Sequence, residues 1–284
     1  MVLNIITAIP KVISSQKSIA HIFGRFKIFR WLYSLYSKLQ QLFLSRPKIN
    51  DENQTFFKDI HIDCALKSLK IEAIFIGLKL PKEIVAKIKT FSKNTSLAQE
   101  NAKAHFYYSD VQNGYLPDGR VIVHGIAIDP LKCDAIQQII NDPVLRIIIK
   151  KYLGYSPKKV RALLRWSFVL ELPDDIRMNL SQGNLYHYDV GEFNSVYANF
   201  YLSETDRYSG AHAMIKGSHN HKNFKMLLSS AIQSKDYLIQ YYGQEQEILI
   251  EGEEGLGFIE DPYCYHRAIP PIKEERLLLQ IQFS

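Results

Sequence analysis

The sequence predicts a mainly β domain with helices packed against it. Two observations carry this: short strand-like runs separated by turns crowd the chain after Pro157, and helical signals concentrate before it. A third is the alternation in 193–202, where Val196, Ala198, Phe200 and Leu202 share one face and Ser195, Tyr197, Asn199 and Tyr201 the other. Several short strands at close spacing describe a sandwich or jelly roll.

The elements follow in order. Apolar residues recur at helical spacing from Ile22 to Leu44, through Phe26, Phe29, Leu32, Tyr36, Leu39 and Phe43, with Trp31 and Leu35 widening the stripe. Pro81 opens a helix through Val85, Ile88 and Phe91. The run 120–128 reads as a strand. Pro130 opens a helix through Ala135, Ile136 and Ile139, and Asp142-Pro143 starts another that stops at Gly154. The run 160–172, rich in Leu, Val, Trp and Phe, reads as a strand. Further strands are expected at 213–216, 247–250, 257–260 and 276–283. No linker divides the chain after residue 50, so the expected organisation is an N-terminal segment, 1–50, and one domain, 51–284.

Composition narrows the function classes. Hydrophobic residues make up 46% and charged residues 23% of the 284 positions, an ordinary globular balance that excludes a disordered or collagen-like chain. No run of apolar residues is long enough for a membrane span. Three scattered cysteines without a CxxC pair argue against a disulfide scaffold or a cysteine zinc site, and point to a reducing, cytoplasmic setting.

Charge is uneven. The first 50 residues hold eight basic side chains (Lys11, Lys17, Arg25, Lys27, Arg30, Lys38, Arg46, Lys48) and no acid, which leaves the rest of the chain at −2 against an overall +6. A nucleic-acid surface would spread basic residues over the folded core, so no nucleic-acid partner is expected. Three readings of the segment stay open: an interfacial helix on anionic lipid, a targeting presequence, or a helix docked on the core. The first gives a peripheral membrane contact. Oligomeric state is not readable.

The chemistry-bearing motif is His187-Tyr188-Asp189. Residues i and i+2 of an extended strand point to the same side, so His187 and Asp189 can reach one metal ion, with His266 as third ligand. Two imidazoles and one carboxylate on one octahedral face leave three positions open, the facial triad of non-haem Fe(II) oxygenases. A second such pair, His61-Ile62-Asp63, has no strand set closing around it and reads as a surface pair. Ten residues after His266 comes Arg276, whose planar fork suits the far carboxylate of a dicarboxylate co-substrate.

Four stretches together resemble the phytanoyl-CoA dioxygenase-like family of Fe(II)/2-oxoglutarate oxygenases: YHYD (186–189), VYANFYLSETD (196–206), SGAHAMIKGSHNH (209–221) and YHRAIPPIKEERLLLQIQF (265–283). The resemblance covers roughly the last 150 residues. It implies a double-stranded β-helix core, cupin-like, with helices on its larger sheet. It also implies iron on His187, Asp189 and His266, and Arg276 on 2-oxoglutarate. Members often carry Lys where this chain has Tyr197, and Ser or Thr where it has Ala268, so Tyr197 and Asn199 are candidates for replacement hydrogen bonds to the co-substrate. His212, Trp166 and Tyr186 are candidate substrate-site residues, each with packing as its alternative. His219 and His221 could mimic a second metal pair, but after the turn signal Gly217-Ser218 they read as a loop with a structural Ser or His contact, and Cys264 reads as a small buried hydrophobe.

The expected activity is hydroxylation of an unactivated C–H bond of a small organic substrate, using Fe(II), 2-oxoglutarate and O₂. A retained Asp189 fills the position a halide would need, which favours hydroxylation over halogenation. Tyr237, Tyr241 and Tyr242 hint at an apolar mouth and, with the basic N-terminus, at a lipid-like substrate; a core role for them is equally open. A non-catalytic binding protein on the same scaffold, and a cupin-like enzyme with another metal, are the alternatives.

Overall fold

The computed structural model describes residues 20, 22–43, 54–99 and 105–284. Of the expected segment 1–50, Lys11, Lys17, Leu44, Arg46 and Lys48 lie outside the described residues.

Two sheets form the core. The larger takes strands β1 (Ile74–Lys79), β2 (Leu97–Ala98), β3 (His105–Phe106), β4 (His124–Ala127), β5 (Val160–Ser167), β6 (Val196–Tyr201), β9 (Leu256–Glu260) and β11 (Arg276–Phe283). Their spatial order is β1-β9-β6-β11-β5-β4-β2-β3, and the pairs are antiparallel. The smaller sheet is β10-β7-β8, from β7 (His212–Ile215), β8 (Glu247–Ile250) and β10 (His266–Ala268). They face each other through Met214 and Ile250 on one side and Tyr201, Phe258 and Leu278 on the other. This is the expected jelly roll with helical decoration.

The central strands are buried on both faces. On the outer face Leu164 and Trp166 of β5, Ala198 and Phe200 of β6 and Leu277, Leu279 and Ile281 of β11 pack in one core with the helices α2 (Ile62–Glu72), α3 (Lys82–Asn94), α4 (Asp134–Ile140) and α5 (Pro143–Leu153). The β6 alternation read from sequence puts Val196, Ala198, Phe200 and Leu202 in this core. Asp142 caps α5 by accepting from Leu145 N, and Gly154 ends it in the left-handed conformation.

Expected and observed elements differ in places. The 120–128 strand is shorter, β4 only, and the 160–172 strand ends at Ser167. The helix expected from Pro130 starts as a 3-10 turn before α4. The N-terminal helix α1 (Lys27–Phe43) forms, but with its polar face toward the body. Beyond the sheets lie α6 (Asp174–Asn179), α7 (Phe224–Leu228) and α8 (Lys235–Tyr242). His61 precedes α2 and Asp63 lies in its first turn, where i and i+2 diverge; the Asp63 side chain is almost fully exposed, as a surface pair would be. The three cysteines are free, and no helix among the described residues is long and apolar enough to cross a membrane.

Candidate metal centre

His187 and Asp189 lie on the extended segment before β6, and His266 opens β10. An antiparallel bridge joins them: His187 N donates to His266 O at 3.0 Å and His266 N to His187 O at 2.8 Å. Asp189 N is held by Pro262 O at 2.9 Å. Parity then sorts the side chains. His187 and Asp189 face the space between the sheets, while Tyr186, Tyr188 and Val190 pack on the other side with Met226, Leu238 and Tyr265.

The ligand atoms converge. His187 Nε2 lies 3.7 Å from Asp189 Oδ1, His266 Nε2 lies 3.9 Å from Asp189 Oδ2, and all three ligand atoms fall within 4.8 Å of one another. Each Nδ1 meets a backbone carbonyl, Leu185 O at 2.8 Å and Cys264 O at 2.9 Å, and must therefore be the protonated nitrogen. The tautomer so fixed leaves each Nε2 lone pair aimed into the cluster. Burial, then the neighbouring His266, holds the His187 imidazolium down to about 4, so the ring is neutral at ordinary pH. Tyr197 Oη donates to Asp189 Oδ2 at 2.8 Å and orients the carboxylate. Burial, then Asp189, pushes the Tyr197 phenol well up, so it remains a donor. Two imidazoles with Nε2 turned into the cluster, a carboxylate and an outer hydrogen bond to each fit a divalent first-row metal.

The cluster opens on a cavity of about 720 Å³. Its floor is the inner face of the large sheet: Arg276, Leu278 and Gln280 of β11, Leu163 and Arg165 of β5, and His124 of β4. Gln99, Leu180, Ser181 and Gly183 line its rim. Arg276 is 2% exposed and donates to Gly210 O and to Ser167 Oγ, the latter at 3.3 Å; its Nε has no hydrogen-bond partner among the described residues. Burial lowers its pKa to about 10, so the guanidinium stays charged at neutral pH. His124 Nδ1 accepts from Arg165 Nη2 at 3.2 Å. Burial, then Arg165, drives His124 down to about 3, so the ring is neutral and its buried Nε2–H is an unused donor.

The expected site residues divide. The structure brings His187, Asp189, His266, Arg276 and His212 to one cavity. His212 stacks on His266 with ring centroids 5.4 Å apart, and its Nε2 lies 2.8 Å from Glu260 Oε2. Burial opposes ionisation of Glu260, but His212, His266 and Asn199 outweigh it and hold the carboxyl down to about 2. Tyr197 and Asn199 share the inner face with Gln282 and Gln280, and their hydrogen bonds go to carboxylates of the site: Tyr197 Oη to Asp189 Oδ2, and Asn199 Nδ2 to Glu260 Oε1 at 2.8 Å. Trp166 lies outside the cavity. The register Arg276↔Ser167 turns Ser167 and Arg165 inward and sends Trp166 into the outer core, against Tyr108 at 4.4 Å. Tyr186 also points away, donating to Glu247 Oε1 at 2.6 Å. The Tyr-rich helix α8 packs Tyr237 and Tyr242 against the cluster around Tyr265 and lines no mouth of this cavity. His219 lies in the turn after β7 and is buried beside Cys264, with Sγ to Nδ1 at 3.9 Å, the kind of structural contact expected of this loop. Sequence reasoning missed Arg165, His124, Gln99 and Glu260; only their side-chain chemistry signals them, because strand order and register bring them together.

No protein-family model matches the chain, and no curated protein does. Among solved structures it is similar to EvdO2 from Micromonospora carbonacea var. aurantiaca, at 13% identity over 81% of this chain and 93% of that one, with a TM-score of 0.51. SnoK, a non-haem alpha-ketoglutarate-dependent carbocyclase from nogalamycin biosynthesis, aligns at 10% identity over 81% and 85%, TM-score 0.51. HygX from Streptomyces hygroscopicus, solved with nickel and 2-oxoglutarate bound, aligns at 11% identity over 78% and 85%, TM-score 0.50. The chain has the fold of these proteins.

Proposed function

We propose that the protein is an Fe(II)- and 2-oxoglutarate-dependent oxygenase that hydroxylates a C–H bond of a small organic substrate. One observation carries the reading: His187, Asp189 and His266 converge in the same cavity as the buried cation Arg276. The motifs shared with phytanoyl-CoA dioxygenase-like enzymes support it, as do the cofactors in the names of SnoK and HygX.

Bound iron would supply the activation of O₂, coupled to conversion of 2-oxoglutarate into succinate and CO₂. The remaining work falls to this chain. His187 and His266 present Nε2 because two carbonyls hold their Nδ1 protons. Tyr197 keeps Asp189 turned inward. Arg276, steadied by Gly210 O and Ser167 Oγ, receives the far carboxylate of 2-oxoglutarate. Retention of Asp189 favours hydroxylation, although SnoK, on this fold, is named a carbocyclase. The polar lining, Arg165, His124, Gln99 and Gln280, suits a substrate carrying hydrogen-bond acceptors better than a wholly apolar one.

The test mixes purified protein with Fe(II), 2-oxoglutarate, O₂ and a substrate panel, and measures succinate. Succinate above a His187→Ala control supports the reading. None above that control, together with no Asp189-dependent Mn(II) binding, sinks it.

A further inference from the structure

Helix α1 is built the wrong way round for a helix that only packs on a protein. A surface helix normally turns its apolar stripe inward and its polar side to water. Here the polar residues face the body. Arg30 donates to Asn194 Oδ1 and Asp261 Oδ2, each at 3.0 Å, and lies over the Tyr263 ring at 3.5 Å. Asn194 returns bonds to Arg30 O and Ser34 Oγ. Ser37 is fully buried, and Gln41 exchanges two bonds with the Ser156 backbone.

The apolar stripe faces outward. Ile28, Trp31, Leu32, Leu35, Leu39 and Leu42 fall within roughly 100° of arc at 3.6 residues per turn, and all are exposed, Trp31 at 60% and Leu42 at 62%. Among the described residues nothing packs over it. The patch continues at the start of the helix: Ile22 and Phe23 are exposed, and Arg25 Nη1 donates to Ser229 O at 2.5 Å, tying this end to α7, where Phe224 and Leu228 are also exposed.

Charge selects the occupant. Lys27 and Lys38 fall on one edge of the stripe by helical spacing, and Lys158 of the body reaches Gln40 Oε1 at 2.6 Å on the other. The first 50 residues hold eight basic side chains and no acid, while the rest of the chain is slightly acidic. A protein partner needs only apolar complementarity. An apolar stripe edged by lysines, in an acid-free segment, is what an anionic bilayer surface rewards, with aliphatic and indole groups entering the interface and ammonium groups staying at the headgroups.

We infer that α1 docks the protein on anionic membrane surfaces, lying in the interface through Ile28, Trp31, Leu35 and Leu42 with Arg30 holding it to the body. The inference stands apart from the oxygenase reading. The test uses full-length protein and vesicles of phosphatidylcholine alone or with phosphatidylglycerol. Of the two tryptophans, Trp166 is buried, so a blue shift of emission reports Trp31. Expected are co-sedimentation with the anionic vesicles, that blue shift, and at least about tenfold weaker binding in salt high enough to screen lysines or in the Leu35→Glu/Leu42→Glu variant, with its circular dichroism spectrum unchanged. Failure of the native chain to bind anionic vesicles overturns it. So does native-like binding by the folded double variant, or a concentration-dependent dimer that this variant dissociates without vesicles, which would make the stripe a contact between copies.

Discussion

The two faces of the large sheet are made from the same strands yet hold opposite chemistry. On β11, Leu277, Leu279 and Ile281 point outward into the helix-covered core, while Arg276, Leu278 and Gln280 point at the cavity. On β5, Leu164 and Trp166 go out, and Leu163, Arg165 and Ser167 go in. The period of two thus separates stability from chemistry residue by residue. The comparison teaches that neighbours in sequence should fail differently when changed.

The largest effect is expected on the inner face. Asp189→Ala removes the one carboxylate of the cluster. Turnover of 2-oxoglutarate should fall by more than the ~10–100-fold that loss of an outer hydrogen-bond partner costs, with the thermal midpoint nearly kept. Mn(II) binding, measured with turnover, checks it. A variant that loses its fold instead would break the separation of roles. On the outer face the pattern should reverse. Leu279→Ala leaves a cavity in a fully buried site, and should cost about 2–5 kcal/mol by urea unfolding. Its folded fraction should keep the native KM for 2-oxoglutarate.

A half-buried cation behind the 187–189 segment sharpens the contrast. Tyr188 and Tyr265 point away from the cavity, and the Lys222 ammonium sits over both rings at 4.5 and 4.8 Å while donating to Ser218 O and Tyr263 O. Burial lowers its pKa from 10.5 to about 7. Below pH 7 folded and unfolded chains both hold the proton. Between 7 and 10.5 the unfolded chain holds a proton that the folded one has released, so stability rises with pH by up to about 1.4 kcal/mol per unit. Urea midpoints at pH 7 and pH 9 should therefore rise by less in Lys222→Met than in the native protein. Equal rises would mean that the ammonium is not enclosed.

Much of this contrast was legible in the sequence, and the reasons are local. The β6 alternation, the Pro and Gly boundaries of α5 and the His-x-Asp spacing are properties of adjacent residues. What was not legible depends on register. Nothing local to 160–172 says whether Trp166 or Arg165 faces inward; the pairing of Ser167 with Arg276 decides it. Glu260, His124 and Gln99 meet the site only through the order β9-β6-β11-β5-β4-β2. For α1 the stripe was readable but its direction was not, because Asp261 and Asn194, the partners that turn Arg30 inward, lie far along the chain.

Tyr197 gives the finest test, since it is an inner-face residue whose hydroxyl is turned to Asp189. Among the described residues its hydroxyl bonds Asp189, at 2.8 Å. If its role is to orient that carboxylate, Tyr197→Phe keeps the packing, removes one hydrogen bond, and should weaken metal binding or turnover by about 10-fold, the low end for an outer partner of a ligand. The KM for 2-oxoglutarate should then stay near the native value once metal is saturating. A raised KM at saturating metal would instead return Tyr197 to the co-substrate role expected from its sequence position. The ratio of metal affinity to KM, measured in one titration series, therefore decides between orienting a ligand and contacting the oxoacid.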